Sequence, residues 1–217
     1  MAKRGELTKE KILDAAHGII LEQGLSTTSL DRVLERTGLT KGAFFYHFKS
    51  KDDLICALMD RHAQAENKIL EDTVARAAKM SRDPLQQLLI TMSLLIEDAE
   101  EAATVTPGDP NPGCLFGLYA YELESFLPEI QAIMRQSAMH WREVLRNQLD
   151  RIASEYPPRL EVDLDGLADN LLVTFEGGLI MGRMIDDPQQ VVVHLRNYRA
   201  FLELLFAPPA ENRGQFT

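Results

Sequence analysis

The chain has 217 residues, of which 45% are hydrophobic and 26% are charged, and its formal net charge is −10 at pH 7. This composition is that of a folded globular protein, and the length allows one large domain or a small domain joined to a larger one. Its two cysteines, Cys56 and Cys114, are too few for a disulfide framework, and no Cys/His spacing in the sequence resembles a zinc site.

The distribution of apolar residues predicts where the protein resides. The sequence has no run of about 18 apolar residues, the length that indicates a membrane span. Its first residues, MAKRGELTKEKI, are charged rather than an apolar signal core. We therefore expect a cytoplasmic protein without a membrane partner.

The negative charge is unevenly distributed along the chain. Residues 1–61 carry 10 Lys/Arg and 9 Asp/Glu, a net charge of +1, so the remaining residues carry −11. Residues 37–51 contain three lysines and no carboxylate. Attraction to phosphates is screened over about 10 Å at ordinary salt, so DNA binding depends on the local charge of a surface. The negative net charge of the whole chain therefore does not exclude DNA binding.

The apolar periodicity predicts helices along almost the whole chain, with no strand pattern and no internal repeat. A first helix is opened by Thr8 and ends at Gly24. A second, opened by Thr28 with Asp31 three residues later, ends before the turn at Gly38. The fold class that follows is all-α, with about nine helices.

Later helix starts are marked by capping residues and first-turn prolines. These marks are Thr40, Ser50 with Asp53, Asp83-Pro84, Pro128, Asp163 or Asp165, and Asp187-Pro188. A sixth helix over residues 114–125 follows the proline-rich segment TPGDPNPG at residues 106–113.

The segment LTKGAFFYHFKSKDDL, residues 39–54, packs four aromatic residues and a histidine into five consecutive positions. On a helix, Phe44 and Phe48 share one face and can be buried. Lys41 and Tyr46 then point away from that face, towards solvent. Two short helices joined by a turn at Gly38 have the spacing of a helix-turn-helix.

Residues 27–54, TTSLDRVLERTGLTKGAFFYHFKSKDDL, resemble the helix-turn-helix region of the tetracycline-repressor (TetR) family. The family pattern is a Gly turn, a small or hydroxyl residue, Lys-Gly, an aromatic run, Phe, then Ser-Lys and an acidic pair. The resemblance spans residues 8–60. It implies a DNA-binding domain over residues 6–66, with the helix-turn-helix at 29–48, and a C-terminal ligand-binding and dimerisation domain over 67–217.

The resemblance also implies which residues contact double-stranded operator DNA. The helix from Thr40 to Phe48 would enter the major groove, with phosphate contacts from Thr28 or Ser29 at one edge and from Tyr46, His47 and Lys51 near the other. The implied DNA-binding residues are Thr28, Ser29, Thr40, Lys41, Gly42, Ala43, Phe45, Tyr46, His47 and Lys51.

Two positions depart from the family pattern. Phe45 stands where Tyr is common in the family. Phenylalanine has no hydroxyl to contact a phosphate, so we expect Tyr46 to make this contact instead. Leu34 stands where Ala is frequent, which indicates a slightly different spacing between the two helices.

Residues 171–185, LLVTFEGGLIMGRMI, are apolar nearly all round, with only Glu176 and Arg183 charged. A helix of this kind has no solvent face, so we expect its own domain to cover one side and a second subunit the other. The alternative is a central core helix in a monomer. In the resembled family the last two long helices form a four-helix dimer interface, which implies interface roles for Leu171, Gly178, Gly182, Leu195 and Leu202.

Large side chains on the later helices are candidates to surround a small apolar or electrophilic effector, and core packing is the alternative for each. The candidates are Met92, Cys114, Phe116, Tyr119, Trp141 and Phe175. Cys114 also follows a Pro/Gly loop at a helix start, where the helix dipole lowers the pKa of a thiol. Similar Gly-Cys-Leu segments occur in some TetR-like regulators that sense electrophiles or oxidants, so Cys114 is a candidate sensor or a small buried residue.

The favoured function is a dimeric repressor released from DNA by a ligand, with no cofactor. The alternative from another class is an all-α enzyme. The sequence has no repeated Glu-x-x-His pairs, no phosphate-binding Gly-rich loop with Lys and no nucleophile elbow. A non-specific DNA-packaging factor would carry much more positive charge.

Overall fold

The computed structural model describes residues 2–24, 28–104, 114–120 and 127–207. Within these ranges the regular structure is entirely helical, which confirms the all-α prediction. The helices are α1 (Ala2–Gln23), α2 (Leu30–Thr37), α3 (Lys41–His47), α4 (Lys51–Met80), α5 (Pro84–Thr104), α6 (Leu115–Ala120), α7 (Pro128–Glu155), α8 (Leu164–Ile185) and α9 (Gln190–Phe206). The segment at 106–113 and the last part of the helix expected over 114–125 lie outside the described residues.

The chain divides into two compact units. Unit one comprises Met1–Glu66 and Pro112–Ser137, and unit two comprises Asn67–Asn111 and Ala138–Thr217. The sequence-based division differs, because it gives all residues after 66 to one domain. Buried residues of α6 and of the start of α7 belong to the same core cluster as α1, α3 and α4, which brings them into unit one.

Local signals fix the helix-turn-helix in unit one. Ser29 caps α2 by accepting a hydrogen bond from the Arg32 N–H, and Gly38 ends it with φ 66°, the left-handed conformation that glycine adopts without a steric cost. Thr40 then caps α3 by accepting from the Ala43 N–H at 3.2 Å. The residues on either side of the turn therefore determine where α2 ends and where α3 begins.

A reciprocal cap also sets the start of α4. The Ser50 hydroxyl accepts from the Asp53 N–H at 3.0 Å, and the Asp53 carboxylate accepts from the Lys49 N–H at 2.9 Å. This pairing is the one that the sequence predicts. The end of α3 and the start of α4 are thus held in a fixed geometry.

The core of unit one anchors α3. Phe44 is 0% exposed, and its ring lies 5.6 Å from that of Phe48, which is also buried. Both belong to a cluster with apolar residues of α1 and α4, among them Ile12, Leu58 and Met59. The i, i+4 spacing of the two phenylalanines therefore anchors α3, as predicted.

The core of unit two is built from α5, α8 and α9 together with the C-terminal parts of α4 and α7. Gly178 allows α8 to lie very close to α9, because a Cβ at this position would be 2.6 Å from the Cα of Val191. Asp163 caps α8 as predicted. Among the described residues, no helix is both long enough and apolar enough to span a bilayer.

Candidate nucleic-acid interface

The face of α3 opposite its phenylalanine anchors is open to solvent. Tyr46 is 82% exposed, Phe45 is about half exposed, and Lys41 and Gly42 also lie on the surface. Lysine provides a positive charge and tyrosine a hydroxyl that donates and accepts. The small Gly42 and the half-buried Ala43 leave room for a backbone or groove edge to come close. This surface has the groups that a DNA groove requires.

The start of α2 presents Ser29 but not Thr28. Thr28 is only 3% exposed, and its hydroxyl donates to the Gly24 carbonyl at 3.0 Å. Ser29 is exposed and is also the residue that caps α2. The phosphate contact expected from Thr28 or Ser29 therefore falls to Ser29, and the predicted cap at Thr28 is wrong by one residue.

The structure brings the other predicted edge residues close to this point. Ser29 and Lys51 line the same small void in unit one, so the starts of α2 and α4 border one space. His47 is half buried and packs edge-on against Tyr46, with ring centroids 4.9 Å apart. All of the predicted DNA-binding residues except Thr28 lie at least partly on the surface of unit one.

An exposed carboxylate lies within this surface. Asp31 in the first turn of α2 pairs with Lys41, with 3.3 Å between Oδ1 and Nζ. Both side chains are largely solvated, so the pair contributes little to stability, about 0–1 kcal/mol. It does reduce the positive charge that Lys41 presents before DNA binds.

Sequence reasoning missed three features of this surface. Arg32 is exposed one turn after Ser29. Lys9 lies over the Phe48 ring, with Nζ 5.9 Å from the centroid. The helix α1 starts at Ala2 rather than near Thr8, so that a Cβ on Gly5 would lie 3.8 Å from His47. Of these three features, only the position of Arg32 had a signal in the sequence, because Arg32 lies three residues after the α2 cap.

The predicted effector residues fall into two separate groups. Met92, Trp141 and Phe175 belong to the core of unit two or pack against it. The other three, Cys114, Phe116 and Tyr119, lie in unit one. The six residues therefore do not line one cavity within either unit.

Cys114 directly precedes α6, and its Sγ lies 3.8 Å from the Nε2 of His62. The His62 ring also packs edge-on against Phe116, with centroids 4.9 Å apart. Burial lowers the pKa of His62 to about 4, and the nearby charges of His17 and Arg61 act in the same direction. His62 is therefore neutral at pH 7 and gives no positive charge to stabilise a Cys114 thiolate.

The five residues predicted for the dimer interface are buried within their own chain. Leu171, Leu195 and Leu202 are core residues of unit two, and the two glycines face the backbone of the same chain. The Cβ that Gly182 lacks would meet the Asp187 carbonyl at 2.9 Å. The residue assignment therefore needs correction, because the apolar periodicity of α8 did not distinguish the core face from the outer one.

A different stripe of α8 and α9 remains exposed. The side chain of Met184 is 73% exposed, and several other large apolar residues on these helices also face solvent. Residues that lie three, four, seven or eight positions apart recur among them, which places them along one side of each helix. The stripe consists of Val173, Ile180, Met181, Met184 and Ile185 on α8 and Val193, Phe201 and Leu204 on α9.

The geometry of α2, the Gly38 turn and α3 defines a helix-turn-helix protein. Residues 12–58 match the model of bacterial regulatory proteins of the tetR family. The matched segment contains the helix-turn-helix, and the comparison agrees with the resemblance of residues 27–54 to this family. The match to regulatory proteins favours a regulator over the all-α enzyme.

Known relatives extend this comparison. The chain is 35% identical over 97 residues to the HTH-type transcriptional regulator AcrR of Shigella flexneri, an alignment that covers 45% of this chain and 42% of that protein. The chain thus matches less than half the length of this curated relative.

Solved structures agree with the whole fold. A TetR-family transcriptional regulator from Agrobacterium tumefaciens superposes with a TM-score of 0.74 at 23% identity, covering 94% of this chain and 100% of that one. The reduced form of E. coli NemR gives 0.71 at 18% identity, covering 94% and 99%. At these identities the likeness establishes the fold alone.

Proposed function

We propose that the chain is a sequence-specific DNA-binding transcriptional regulator, a cytoplasmic homodimeric repressor that a small-molecule effector releases from a near-palindromic operator. The observation that carries this proposal is the orientation of α3. Phe44 and Phe48 are anchored in the core of unit one, while Lys41 and Tyr46 face outwards. A helix so mounted fits the major groove, which is about 12 Å wide.

The contacts expected at the operator divide into two kinds. Lys41 and Ala43 at the start of α3 would face base edges, and Tyr46 would contact the phosphate backbone. Ser29 and Lys51, which line the same small void, would also contact the phosphate backbone. Phosphate contacts position the protein and base contacts specify the sequence.

The exposed apolar stripe of α8 and α9 supports the homodimer. Two such stripes facing each other would bury large apolar side chains that a single chain leaves in water. A dimer holds two copies of α3 at a fixed separation, so that they read two half-sites about one turn of DNA apart. An effector that changes this separation weakens binding, and a coupling of about 1–3 kcal/mol changes affinity about 5- to 150-fold.

Binding to the DNA upstream of the chain's own gene tests this proposal. We expect a footprint of two half-sites and an affinity that falls steeply with salt. Weak binding that ignores sequence would instead indicate a packaging factor. No binding at any salt concentration would contradict the regulator.

We expect Lys51→Ala and Lys41→Ala to weaken binding in different ways. Lys51 faces a phosphate in the proposed complex, so its loss should weaken binding to all sequences alike and lower the salt slope by about one charge per protomer. Lys41→Ala or Ala43→Ser should change which operator is preferred. Fluorescence anisotropy against an operator library at several salt concentrations measures both effects.

Lys79→Ala is the matched control for these variants. Lys79 is exposed near the end of α4 and belongs to unit two, whereas the proposed DNA-binding residues belong to unit one. It should leave affinity, salt slope and sequence preference unchanged. Equal losses in Lys79→Ala and Lys51→Ala would contradict the proposed surface.

The electrophile hypothesis for Cys114 has its own test. Because the neighbouring His62 is neutral, we expect iodoacetamide at pH 7 to alkylate Cys114 no faster than the thiol of glutathione. The rate is measured by mass spectrometry in a Cys56→Ser background. Cys114→Ser serves as the control, since it leaves Cys56, whose thiol pKa is raised by burial. Alkylation of Cys114 at ten times the glutathione rate would favour a sensor.

A further inference from the structure

The side chains of Cys114 and His62 face each other within unit one. Cys114 lies just before α6 and His62 lies on α4, and 3.8 Å separate the Sγ of the first from the Nε2 of the second. Thiolate and imidazole are both ligands of soft metal ions in proteins. The contact therefore brings together two metal-binding groups that the proposed DNA contacts do not use.

The second ring nitrogen of His62 faces a carboxylate. Nδ1 lies 3.9 Å from Oε1 of Glu66, one turn further along α4. A carboxylate on this side favours the tautomer with its proton on Nδ1, which leaves the lone pair of Nε2 directed at the sulfur. Histidines that bind metals in proteins usually have such a carboxylate behind them.

The surroundings of this pair limit access of water. The His62 side chain is 14% exposed, and the Phe116 ring packs edge-on against its ring, with centroids 4.9 Å apart. Leu115 and Tyr119 of α6 are buried close by in the sequence. Burial also lowers the pKa of His62 to about 4, so its imidazole is unprotonated at pH 7. An ion held here would depend on protein ligands rather than on water.

The number of ligands determines which metal fits. Among the residues that the structure describes, no group of three or more His, Cys, Asp or Glu side chains is arranged to hold an ion. Structural zinc takes four protein ligands, and calcium takes six to eight oxygens, so neither fits a pair. Copper(I) is soft, prefers sulfur and nitrogen, and is held by two ligands in line.

The separation of the two ligand atoms is close to what such an ion needs. A first-row metal lies about 2.3 Å from a thiolate sulfur and about 2.0 Å from an imidazole nitrogen, so a straight arrangement spans about 4.3 Å. The observed distance of 3.8 Å is shorter by about half an ångström. A small rotation of the Cys114 side chain provides this difference.

We propose that Cys114 and His62 form a binding site for one copper(I) ion per chain. On binding, the Cys114 thiol releases its proton to solvent, and Sγ and Nε2 each donate a lone pair to the ion. Copper remains in the +1 state and the sulfur is not oxidised. The ion would link the residue before α6 to α4. This site goes beyond the proposed function, because it does not require DNA binding.

Titration of the full-length protein with copper(I) in the absence of oxygen tests the site. Bicinchoninate competes for the ion, and its coloured complex loses absorbance as the protein binds copper. We expect one ion per chain, and we expect Cys114→Ser and His62→Gln each to weaken binding about tenfold or more. Cys56→Ser and His17→Gln are the matched controls and should leave the affinity unchanged. Cys56 is the other cysteine, and the His17 ring lies next to that of His62, with centroids 6.2 Å apart.

X-ray absorption of the copper-loaded wild type gives a readout that does not depend on any variant folding. We expect one sulfur and one nitrogen as the near ligands of the ion. Three or four near ligands would contradict a two-ligand site. Circular dichroism checks that each variant is folded.

The contrary outcomes are distinct. If Cys114→Ser binds copper(I) as tightly as the wild type, the ion is adventitious and the proposed site is wrong. If His62→Gln keeps the wild-type affinity, or if His17→Gln weakens binding as much as His62→Gln does, then His62 is not the second ligand. DNA binding by the copper-free protein is measured separately. Its absence would contradict the regulator and leave the copper site unaffected.

Discussion

Phe44→Ala is expected to lower the free energy of unfolding by about 3–5 kcal/mol and to remove DNA binding. Phe44 is completely buried at the centre of unit one, and its ring packs against those of Phe48 and Phe45. Truncation leaves a cavity under α3 and removes the contact that orients it. Because small domains are stable by about 5–15 kcal/mol, this loss is a large fraction of the total.

Urea unfolding followed by circular dichroism measures the global effect. Hydrogen exchange read by mass spectrometry locates it, and the loss of protection should concentrate in residues 12–58. If protection there is unchanged, then Phe44 is not the anchor of the recognition helix.

Phe45→Ala is the matched control for this prediction. It removes the same side chain from the adjacent position, but Phe45 is about half exposed. We expect its effect on unfolding to stay within about 1 kcal/mol, while DNA affinity falls. Equal losses of stability in the two variants would contradict the division of α3 into a buried and an outward face.

Ile180→Glu is expected to dissociate the proposed dimer and to weaken the proposed operator binding by about 10²-fold or more. Ile180 lies in the exposed apolar stripe of α8. In a dimer, the substitution buries an unpaired charge on each side of the interface. A monomer loses the second half-site, and linking two sites typically multiplies affinity 10²- to 10⁴-fold.

Analytical ultracentrifugation measures the oligomeric state, and fluorescence anisotropy measures the affinity. Met80→Glu is the control, because Met80 is an exposed apolar residue at the end of α4, outside the stripe. It should leave both values unchanged. A dimer that survives Ile180→Glu would rule out this stripe as the interface. Leu202→Glu would not be informative, since Leu202 is in the core of its own chain.

The helix-turn-helix was predictable because its determinants are local. The Gly38 turn, the Thr40 cap and the Ser50–Asp53 pair each involve residues within four positions of one another. The burial of Phe44 and Phe48 follows from the i, i+4 rule. Such signals act over one helical turn, so they can be read from the sequence without knowledge of the tertiary fold.

The sequence-based predictions that were wrong or missing also have physical causes. Thr28 and Ser29 are adjacent hydroxyl residues, and only packing decides which of them is buried. The helix α8 is apolar nearly all round, so periodicity did not distinguish its core face from its outer face. The contact between Cys114 and His62 joins residues 52 positions apart, a separation that no local pattern encodes.

In the proposed complex with DNA, Asp31 would compete with the DNA for Lys41. Any DNA that takes Lys41 must first displace a carboxylate that lies 3.3 Å away. A phosphate or a base edge would each replace the carboxylate at Lys41, so the exchange lowers the gain from this contact on any DNA. A pair of this strength, up to about 1 kcal/mol, reduces indiscriminate binding several-fold and so shortens the time spent on wrong sites.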